Sequence, residues 1–329
     1  MKIAVFSTKS YDQEYFEKNN KHYNFQFSFF ETALNIHTVN LTKGFDVVCV
    51  FVNDTIDKKT ILALSANGIK LVALRCAGFN NVDLEAIKNN NLKVVRVPAY
   101  SPEAVAEYAI ALILTLNRKT HKAYNRVREG NFSLKNLIGF NLHNKTVGVI
   151  GTGKIGASFC KILKGFGCRI IAFDIYKNED LLSLGVEYMQ LNQVFKQADI
   201  LSLHCPLNEG TKHVVNKRSI ASMKDGVMII NTSRGALVNT VDVIEGLINK
   251  KIGYLGIDVY EQEENLFFED LSEHIIQDEH ILRLMSFPNV LITSHQAFFT
   301  KEAMDEITMT TLENINLFKN NDMLNNEVK

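Results

Sequence analysis

Four short polar clusters each follow an apolar run that reads as a β-strand. His204-Cys205-Pro206 follows 199–203, and Thr232-Ser233-Arg234-Gly235 follows 227–231. Asp258, Tyr260, Glu261 and Glu263 follow 253–257, and Ser294-His295-Gln296 follows 290–293. In an open parallel α/β sheet, ligands bind outside the carboxyl ends of the strands. An arginine fork there suits a substrate carboxylate better than a lysine point charge does. An imidazole beside a carboxylate is favoured in its charged form and can act as an acid near neutral pH. Taken singly, each residue has a plainer reading. A lone loop arginine is usually solvated or in a structural ion pair, a lone histidine is usually structural, and the acidic run Glu261, Glu263, Glu264 reads as a solvated face. Their convergence at four strand ends points to a site.

A second pattern specifies a cofactor. Lys145 to Ile150 reads as a buried strand and runs into Gly151-Thr152-Gly153-Lys154-Ile155-Gly156, a G-x-G-x-x-G turn. Ile155, Phe159, Ile162, Leu163 and Phe166 then share one helix face, and Gly167 can end that helix. The strand 169–173 delivers Asp174, 18 residues beyond Gly156. Gly151 would make the tight turn, Gly153 would let backbone N–H groups approach a pyrophosphate, and Gly156 would allow close helix–strand packing. The helix N-terminus adds the positive end of a dipole. Asp174 can accept from a ribose 2′-OH and would repel a 2′-phosphate, and neither Ile175 nor Tyr176 offers a cation in its place. The expectation is NAD rather than NADP.

The elements that must position these groups follow from the rest of the chain. It has 329 residues, 46% of them hydrophobic, and zero formal net charge, which fits about two domains. No basic block suggests nucleic acid or a membrane surface as partner. The five cysteines (49, 76, 160, 168 and 205) lack metal spacing and read as reduced thiols of a cytoplasmic protein; no metal is expected. The first strand is too short for a signal peptide. The apolar stretch 104–116 is broken by Glu107 and is shorter than the roughly 18 residues of a membrane span. Strands are expected at 2–7, 47–52, 70–74 and 92–97, with helices near 58–66 and 83–89. The continuous β-branched runs indicate a parallel sheet covered on both faces. One long helix is expected over 101–130, started by Ser101, Pro102 and Glu103 and ended by Gly130. It would be about 40 Å long. Six strands follow, at 145–150, 169–173, 199–203, 227–231, 253–258 and 290–293. A terminal helix over 300–320 would pack back onto the first domain. The domains expected are therefore 1–100 plus 299–329, discontinuous, and 101–298.

The ordered motifs Gly151 to Gly156, Asp174, His204-Cys205-Pro206-Leu207, Asn231 to Gly235, Asp258 to Glu261 and Ser294 to Gln296 carry a resemblance. The chain resembles the NAD-dependent D-2-hydroxyacid dehydrogenase family over essentially its whole length. Arg75 to Asn81, Val97 to Pro102 and Leu266 to Asp270 resemble the fermentative subgroup that reduces pyruvate to D-lactate. The resemblance implies an α/β fold of two Rossmann-like or flavodoxin-like domains with doubly wound parallel sheets and the active site in the interdomain cleft. It implies that Arg234 clamps the substrate carboxylate and polarises the 2-oxo group, His295 is the acid–base group, and Glu263 hydrogen-bonds His295. Backbone N–H groups of Cys76, Ala77 and Gly78 would hold the carboxylate from the small domain. Tyr100 would line the pocket, with Phe298 (or Phe299) on its apolar side. Gly151, Gly153, Lys154, Ile155, Gly156, Asp174, His204, Cys205, Pro206, Thr232, Ser233 and Asp258 would bind NAD, with Asp258 orienting the nicotinamide. Hinges would lie near 100–102 and 296–299, and the 101–130 region would join a homodimer or homotetramer. Asn239 stands where many members carry an acid, a departure expected to have little effect. No extra regulatory domain is expected after the last helix. Competing readings are a bulkier 2-oxo acid, such as oxoisocaproate or phenylpyruvate, glyoxylate or hydroxypyruvate, and an NAD-sensing corepressor.

Overall fold

A computed structural model describes residues 1–328; Lys329, the end of the expected 299–329 segment, and the side chain of Asn265 lie outside the described residues. The chain divides into two compact units, Met1–Ser101 with the segment from Phe299 onward, and Pro102–Phe298.

The first unit is built on a five-stranded sheet in the order β2-β1-β3-β4-β5. The strands are β1 (Lys2–Val5), β2 (Gln26–Phe29), β3 (Val47–Val50), β4 (Leu71–Leu74) and β5 (Lys93–Arg96). All pair in parallel. Residues of β3 and β4 are buried on both faces, as continuous apolar runs require. The helices are α1 (Ser10–Asn19), α2 (Lys58–Ala66) and α3 (Leu84–Asn89). Asp57 and Asp83 cap α2 and α3 by accepting from Thr60 N and Ala86 N. The terminal helix, α12 (Lys301–Lys319), belongs to this unit. Leu312 and Ile315 pack with Ile3, Val5, Val47 and Leu71, and Asn314 Nδ2 donates to Arg96 O at 3.0 Å. The periodicity did not indicate β2 or α1. Strand β2 is an edge with half-exposed Phe27 and Phe29, and α1 buries only Asp12 and Phe16.

The second unit carries α4 (Pro102–Arg118), α5 (Thr120–Arg128), β6 (Thr146–Ile150), α6 (Lys154–Gly165), β7 (Arg169–Phe173), α7 (Glu179–Ser183), β8 (Glu187–Tyr188) and α8 (Leu191–Gln197). After these come β9 (Ile200–Leu203), α9 (Lys217–Ser222), β10 (Val227–Asn231), α10 (Thr240–Ile248), β11 (Ile252–Ile257), α11 (Glu279–Ser286) and β12 (Val290–Ile292). The sheet order is β12-β11-β10-β9-β6-β7-β8, with every pairing parallel. The order reverses between β6 and β9, which is where a doubly wound sheet opens a crevice for a dinucleotide.

The single helix expected over 101–130 is two. Lys119 takes φ 52°, a left-handed conformation that ends α4. The cause is a long-range anchor. Asn117 is buried, its amide donates to Phe140 O at 2.7 Å, and its Oδ1 accepts from Phe140 N at 2.7 Å. Gly139 lies so close that a Cβ there would be 2.6 Å from Asn117 O, so the returning chain fills the space the next turn would need. At 1.5 Å per residue, α4 is about 25 Å long rather than 40 Å. Among the described residues no helix is long and apolar enough to cross a membrane.

Candidate active site

The adjacent strands β10, β11 and β12 bring Arg234, Glu263 and His295 to one edge of the second unit. The connection can be followed bond by bond. Asn231, the last residue of β10, donates from Nδ2 to Arg234 O at 2.8 Å and accepts Ser233 N at 3.1 Å, which fixes the turn carrying Arg234. The next residue, Gly235, lies against the loop after β11. A Cβ at Gly235 would be 2.1 Å from the Tyr260 backbone, so only glycine permits this approach. Tyr260 N in turn donates to Glu263 Oε2 at 2.9 Å. Glu263 Oε1 lies 3.0 Å from His295 Nδ1. An ionised carboxylate only accepts, so Nδ1 carries hydrogen and Nε2 is left to exchange a proton. Among the described residues, Nε2 has no hydrogen-bond partner.

His295 itself has φ 54°, a left-handed conformation that costs of order 1–3 kcal/mol outside glycine and persists only where neighbours enforce it. Asp258 supplies the enforcement. Its backbone carbonyl accepts His295 N at 2.7 Å. Its Oδ1 accepts Thr293 Oγ1 at 2.6 Å and Gln296 N at 2.9 Å, and its Oδ2 accepts Ala297 N at 2.8 Å. Burial pushes the Asp258 carboxyl up, against the pull of these bonds. The side chain is fully buried. Asp258 therefore holds the His295 turn.

Arg234 is half-buried, and its guanidinium donates through one terminal nitrogen to Ser233 O at 2.6 Å. Among the described residues no carboxylate pairs with it. Glu261 is not the solvated member of an acidic run that the sequence indicated. Its Oε1 lies 2.5 Å from His213 Nε2, and its Oε2 accepts Thr240 Oγ1 at 2.9 Å. Glu264 is exposed, and only Glu263 of the three faces His295.

The glycine turn lies at the end of β6. Gly151 has φ 94°, and a Cβ on it would be 2.5 Å from Cys205 N. A Cβ on Gly156 would be 2.0 Å from Gly151 O. Gly153, the N-cap of α6, has open space where a Cβ would stand, and no side chain caps the helix. The first N–H groups of α6, at Lys154 and Ile155, are thus presented to a ligand, as a pyrophosphate needs. Asp174 ends β7 and is half-buried. Its Oδ2 accepts Thr152 N at 2.6 Å and Thr152 Oγ1 at 3.1 Å, while Oδ1 accepts Tyr176 N at 3.1 Å. Asp174 thus closes the turn and retains lone pairs for a ribose hydroxyl.

Two buried polar atoms on the crevice side, His204 Nδ1 and Thr232 Oγ1, have no partner among the described residues. Such orphans are rare in native folds and fit a site whose ligand completes it. Burial holds the His204 imidazole down to about 3, so it is neutral. Ser202 Oγ lies 2.9 Å from its Nε2, and Phe159 packs against the ring. Ser233 Oγ donates to Cys205 O at 2.8 Å. Cys205 is buried, with its thiol pushed up to about 11 by burial, and Pro206 is exposed. Phe298, the last residue of this unit, is buried.

In the first unit, Cys76, Ala77 and Gly78 form the turn after β4. Among the described residues the N–H groups of Ala77 and Gly78 donate to nothing. Cys76 O accepts Val97 N at 3.2 Å. Arg96, at the end of β5, donates to Ala77 O at 2.7 Å and stacks on the Phe79 ring. Ala77 O and Gly78 N belong to one peptide unit. A cation on the oxygen polarises the N–H, because hydrogen bonds in a chain strengthen one another. Arg75 underpins the turn. It is fully buried, donates to Ser7 O at 2.6 Å and pairs with Asp12 at 3.4 Å. Tyr100 is half-buried, and Phe299 packs edge-on against Tyr11. The roles of Arg75 and Arg96 were not foreseen. Arg96 also ends a parallel strand, so the rule that singled out Arg234 could have found it.

Residues 110–297 match the family model described as D-isomer specific 2-hydroxyacid dehydrogenase, NAD binding domain. The chain belongs to the D-isomer specific 2-hydroxyacid dehydrogenase family. It is 51% identical over 328 residues to D-lactate dehydrogenase of Escherichia coli K12, covering 100% of both chains. It is 53% identical to a 2-hydroxyacid dehydrogenase homolog of Haemophilus influenzae, covering 100% of this chain and 99% of that one. Among solved structures, the apo-structure of D-lactate dehydrogenase from Escherichia coli superposes with a TM-score of 0.92 at 49% identity over 100% of both chains. D-lactate dehydrogenase with NAD+ from Lactobacillus jensenii gives 0.83 at 30% identity, again over 100% of both chains. The protein is an NAD-dependent oxidoreductase of this dehydrogenase family, and its second unit holds the NAD-binding domain.

Proposed function

We propose that the protein reduces pyruvate to D-lactate with NADH, reversibly. The carrying observation is a half-buried Arg234 with no carboxylate partner among the described residues, in a turn packed against the loop of a Glu263–His295 pair. A cation left without an internal partner suits an anionic substrate. The choice of acid is supported by the relatives bearing the name D-lactate dehydrogenase.

Each residue then has a task. Gly153, Lys154 and Ile155 would hold the pyrophosphate of NAD, and Asp174 would accept from its ribose. His204, Cys205, Pro206, Thr232 and Ser233 would bind the same cofactor. NADH, when bound, supplies the hydride to the 2-oxo carbon. Arg234 forks onto the substrate carboxylate and polarises the 2-oxo oxygen. His295 Nε2 gives its proton to that oxygen as negative charge develops. Glu263 holds the ring through Nδ1. Asp258 keeps the His295 turn in its left-handed conformation. In the first unit, the N–H groups of Ala77 and Gly78 are free to hold a carboxylate, with Cys76 in the same turn.

Substrate choice is tested by comparing kcat/KM for pyruvate, hydroxypyruvate, glyoxylate, oxoisocaproate and phenylpyruvate, followed by loss of NADH absorbance. Pyruvate is expected to lead. A lead for phenylpyruvate or oxoisocaproate would reassign the enzyme to a bulkier acid.

Arg96 gives a separable prediction. Arg96→Gln removes the cation from Ala77 O and should raise the pyruvate KM roughly tenfold, the size of one charge-assisted hydrogen bond. The kcat and NADH affinity should stay near their parental values, with Arg96→Lys recovering part of the KM. A fall in kcat at constant KM would remove Arg96 from carboxylate anchoring.

The 101–130 region is proposed as the subunit contact. Just beyond it, Phe132, Leu134 and Ile138 are 76%, 82% and 85% exposed, apolar side chains of the kind that a subunit contact covers. Sedimentation should return a dimer or tetramer mass, and a monomer at micromolar concentration would contradict the assignment.

His204 sets an acid limit to stability. Its folded-state value is lowered to about 3, while the unfolded chain takes up the proton near 6.5. The neutral ring thus opposes no folding above pH 6.5, and stability is lost as pH falls from there toward 3. At pH 5 the loss from this group is about 2 kcal/mol. Urea unfolding of His204→Gln should show a smaller fall between pH 7 and pH 5 than the parent protein. An equal fall would assign the acid sensitivity to other groups.

A further inference from the structure

Among the described residues, two histidines take the left-handed backbone conformation, and each pairs with a glutamate. One is His295, with Glu263. The other is His213, at φ 52°, whose Nε2 lies 2.5 Å from Glu261 Oε1. A side chain in this conformation persists only where neighbours enforce it, and such strain gathers at functional sites. The proposed hydride and proton transfers use neither His213 nor Glu261.

The pair stands where three segments of the second unit meet. His213 lies between β9 and α9, in a stretch that runs beside the continuation of the Arg234 turn. His213 N donates to Ala236 O at 2.8 Å, Val215 N to Leu237 O at 3.0 Å, and Asn239 N to Val215 O at 2.9 Å. Glu261 lies on the loop after β11, two residues before Glu263. Its Oε2 accepts Thr240 Oγ1 at 2.9 Å and Thr240 N at 3.2 Å, at the first residue of α10. Gly235 rests on the Tyr260–Glu261 peptide. A Cβ on Gly235 would be 2.1 Å from Tyr260 C and 2.5 Å from Glu261 N. On the other side of Tyr260, its own N–H donates to Glu263 Oε2 at 2.9 Å. Glu261 therefore fixes the peptide that spaces Arg234 from Glu263.

The chemistry of the pair suits a fastening. Burial pushes the Glu261 carboxyl up, but the bonds from His213 and Thr240 outweigh it and hold Glu261 below the usual carboxylate range. An ionised carboxylate only accepts, so His213 Nε2 carries hydrogen. The two side chains are only 29% and 19% exposed. Removing one partner leaves the other short of a bond that water replaces poorly.

We propose that His213 and Glu261 are a positioning pair for the reaction, holding the loop after β11 so that Glu263 meets His295 while the Arg234 turn rests against the same loop. The inference rests on the roles given above to Arg234, Glu263 and His295, and not on which 2-oxo acid is reduced. A misplacement of about 1 Å at a reacting centre can cost roughly a hundredfold in rate, so a fastening two residues from Glu263 has leverage on kcat.

Steady-state reduction of the 2-oxo acid that the full-length enzyme turns over fastest tests it, at saturating NADH. Glu261→Ala should lower kcat by about 10- to 100-fold, with NADH affinity, measured by fluorescence, near the parental value. Glu261→Gln keeps an oxygen for Thr240 and an amide for His213, and should recover most of kcat. The deciding comparison is the same alanine substitution in a Glu263→Gln background. If Glu261 acts through Glu263, its loss there should shrink to a small fraction of the loss in the parent, because groups that act through one another are not additive. A purely structural role would give equal losses in both backgrounds. If Glu261→Ala unfolds, His213→Asn carries the test with the same expected pattern, since asparagine tolerates the left-handed backbone and is too short to restore the bond. Parental kcat in the folded variant, or equal losses in the two backgrounds, would overturn the inference alone. Parental kcat in Glu263→Gln by itself would overturn the role of Glu263 and the inference with it.

Discussion

Arg234→Ala is expected to lower kcat/KM for pyruvate by roughly a thousandfold, since it removes both the carboxylate fork and a fixed positive charge beside the developing alkoxide. Both parameters should move. KM should rise because the ground-state carboxylate loses its clamp, and kcat should fall because charge on the 2-oxo oxygen grows in the transition state. Arg234→Lys should recover little, because a point charge cannot contact carboxylate and 2-oxo group together. The fold should tolerate the change. The turn is held by Asn231 on the Arg234 carbonyl rather than by the guanidinium. NADH affinity, measured by fluorescence, should therefore be near the parental value. Near-normal kinetics in the alanine variant would remove Arg234 from the site.

His295→Gln should act on kcat. Loss of the proton donor is expected to slow reduction by about 10²–10⁴-fold, with KM changed far less because the carboxylate anchors remain. The residue also sits at φ 54°, where its N–H is held by Asp258. Glutamine keeps that backbone bond, so a melting temperature close to the parent would show that the loss is chemical. Asp258→Asn separates the two effects. It keeps the shape and perturbs the acceptors of Thr293, Gln296 and Ala297, so it should lower stability and kcat together. Parental kcat in His295→Gln would mean that the proton comes from elsewhere.

The two patterns that organise the second unit were legible because each is local. Gly151, Gly153 and Gly156 are spaced by the geometry of one turn, and Arg234 and His295 each stand directly after a strand whose apolar run marks its end. Glu263 was harder to separate from Glu261 and Glu264. The choice among three acids is made by His213 and Thr240, which claim Glu261 from 48 and 21 residues away. The break at Lys119 had no local signal either, since nothing near it disfavours a helix and the cause is Phe140 bonding back to Asn117. The support that Asp258 gives the His295 turn had no local signal for the same reason. Its partners, Thr293 to Ala297, meet it only once β11 and β12 pair. Strand β2 was missed because an edge strand need not be apolar on both faces.

The most direct measurement is the configuration of the product when the purified enzyme, NADH and pyruvate are incubated to completion and the lactate is resolved on a chiral column. D-lactate formed in step with NADH oxidation is the expected result. L-lactate, or no lactate while NADH still binds, would contradict the assignment of Arg234, Glu263 and His295 to reduction of pyruvate.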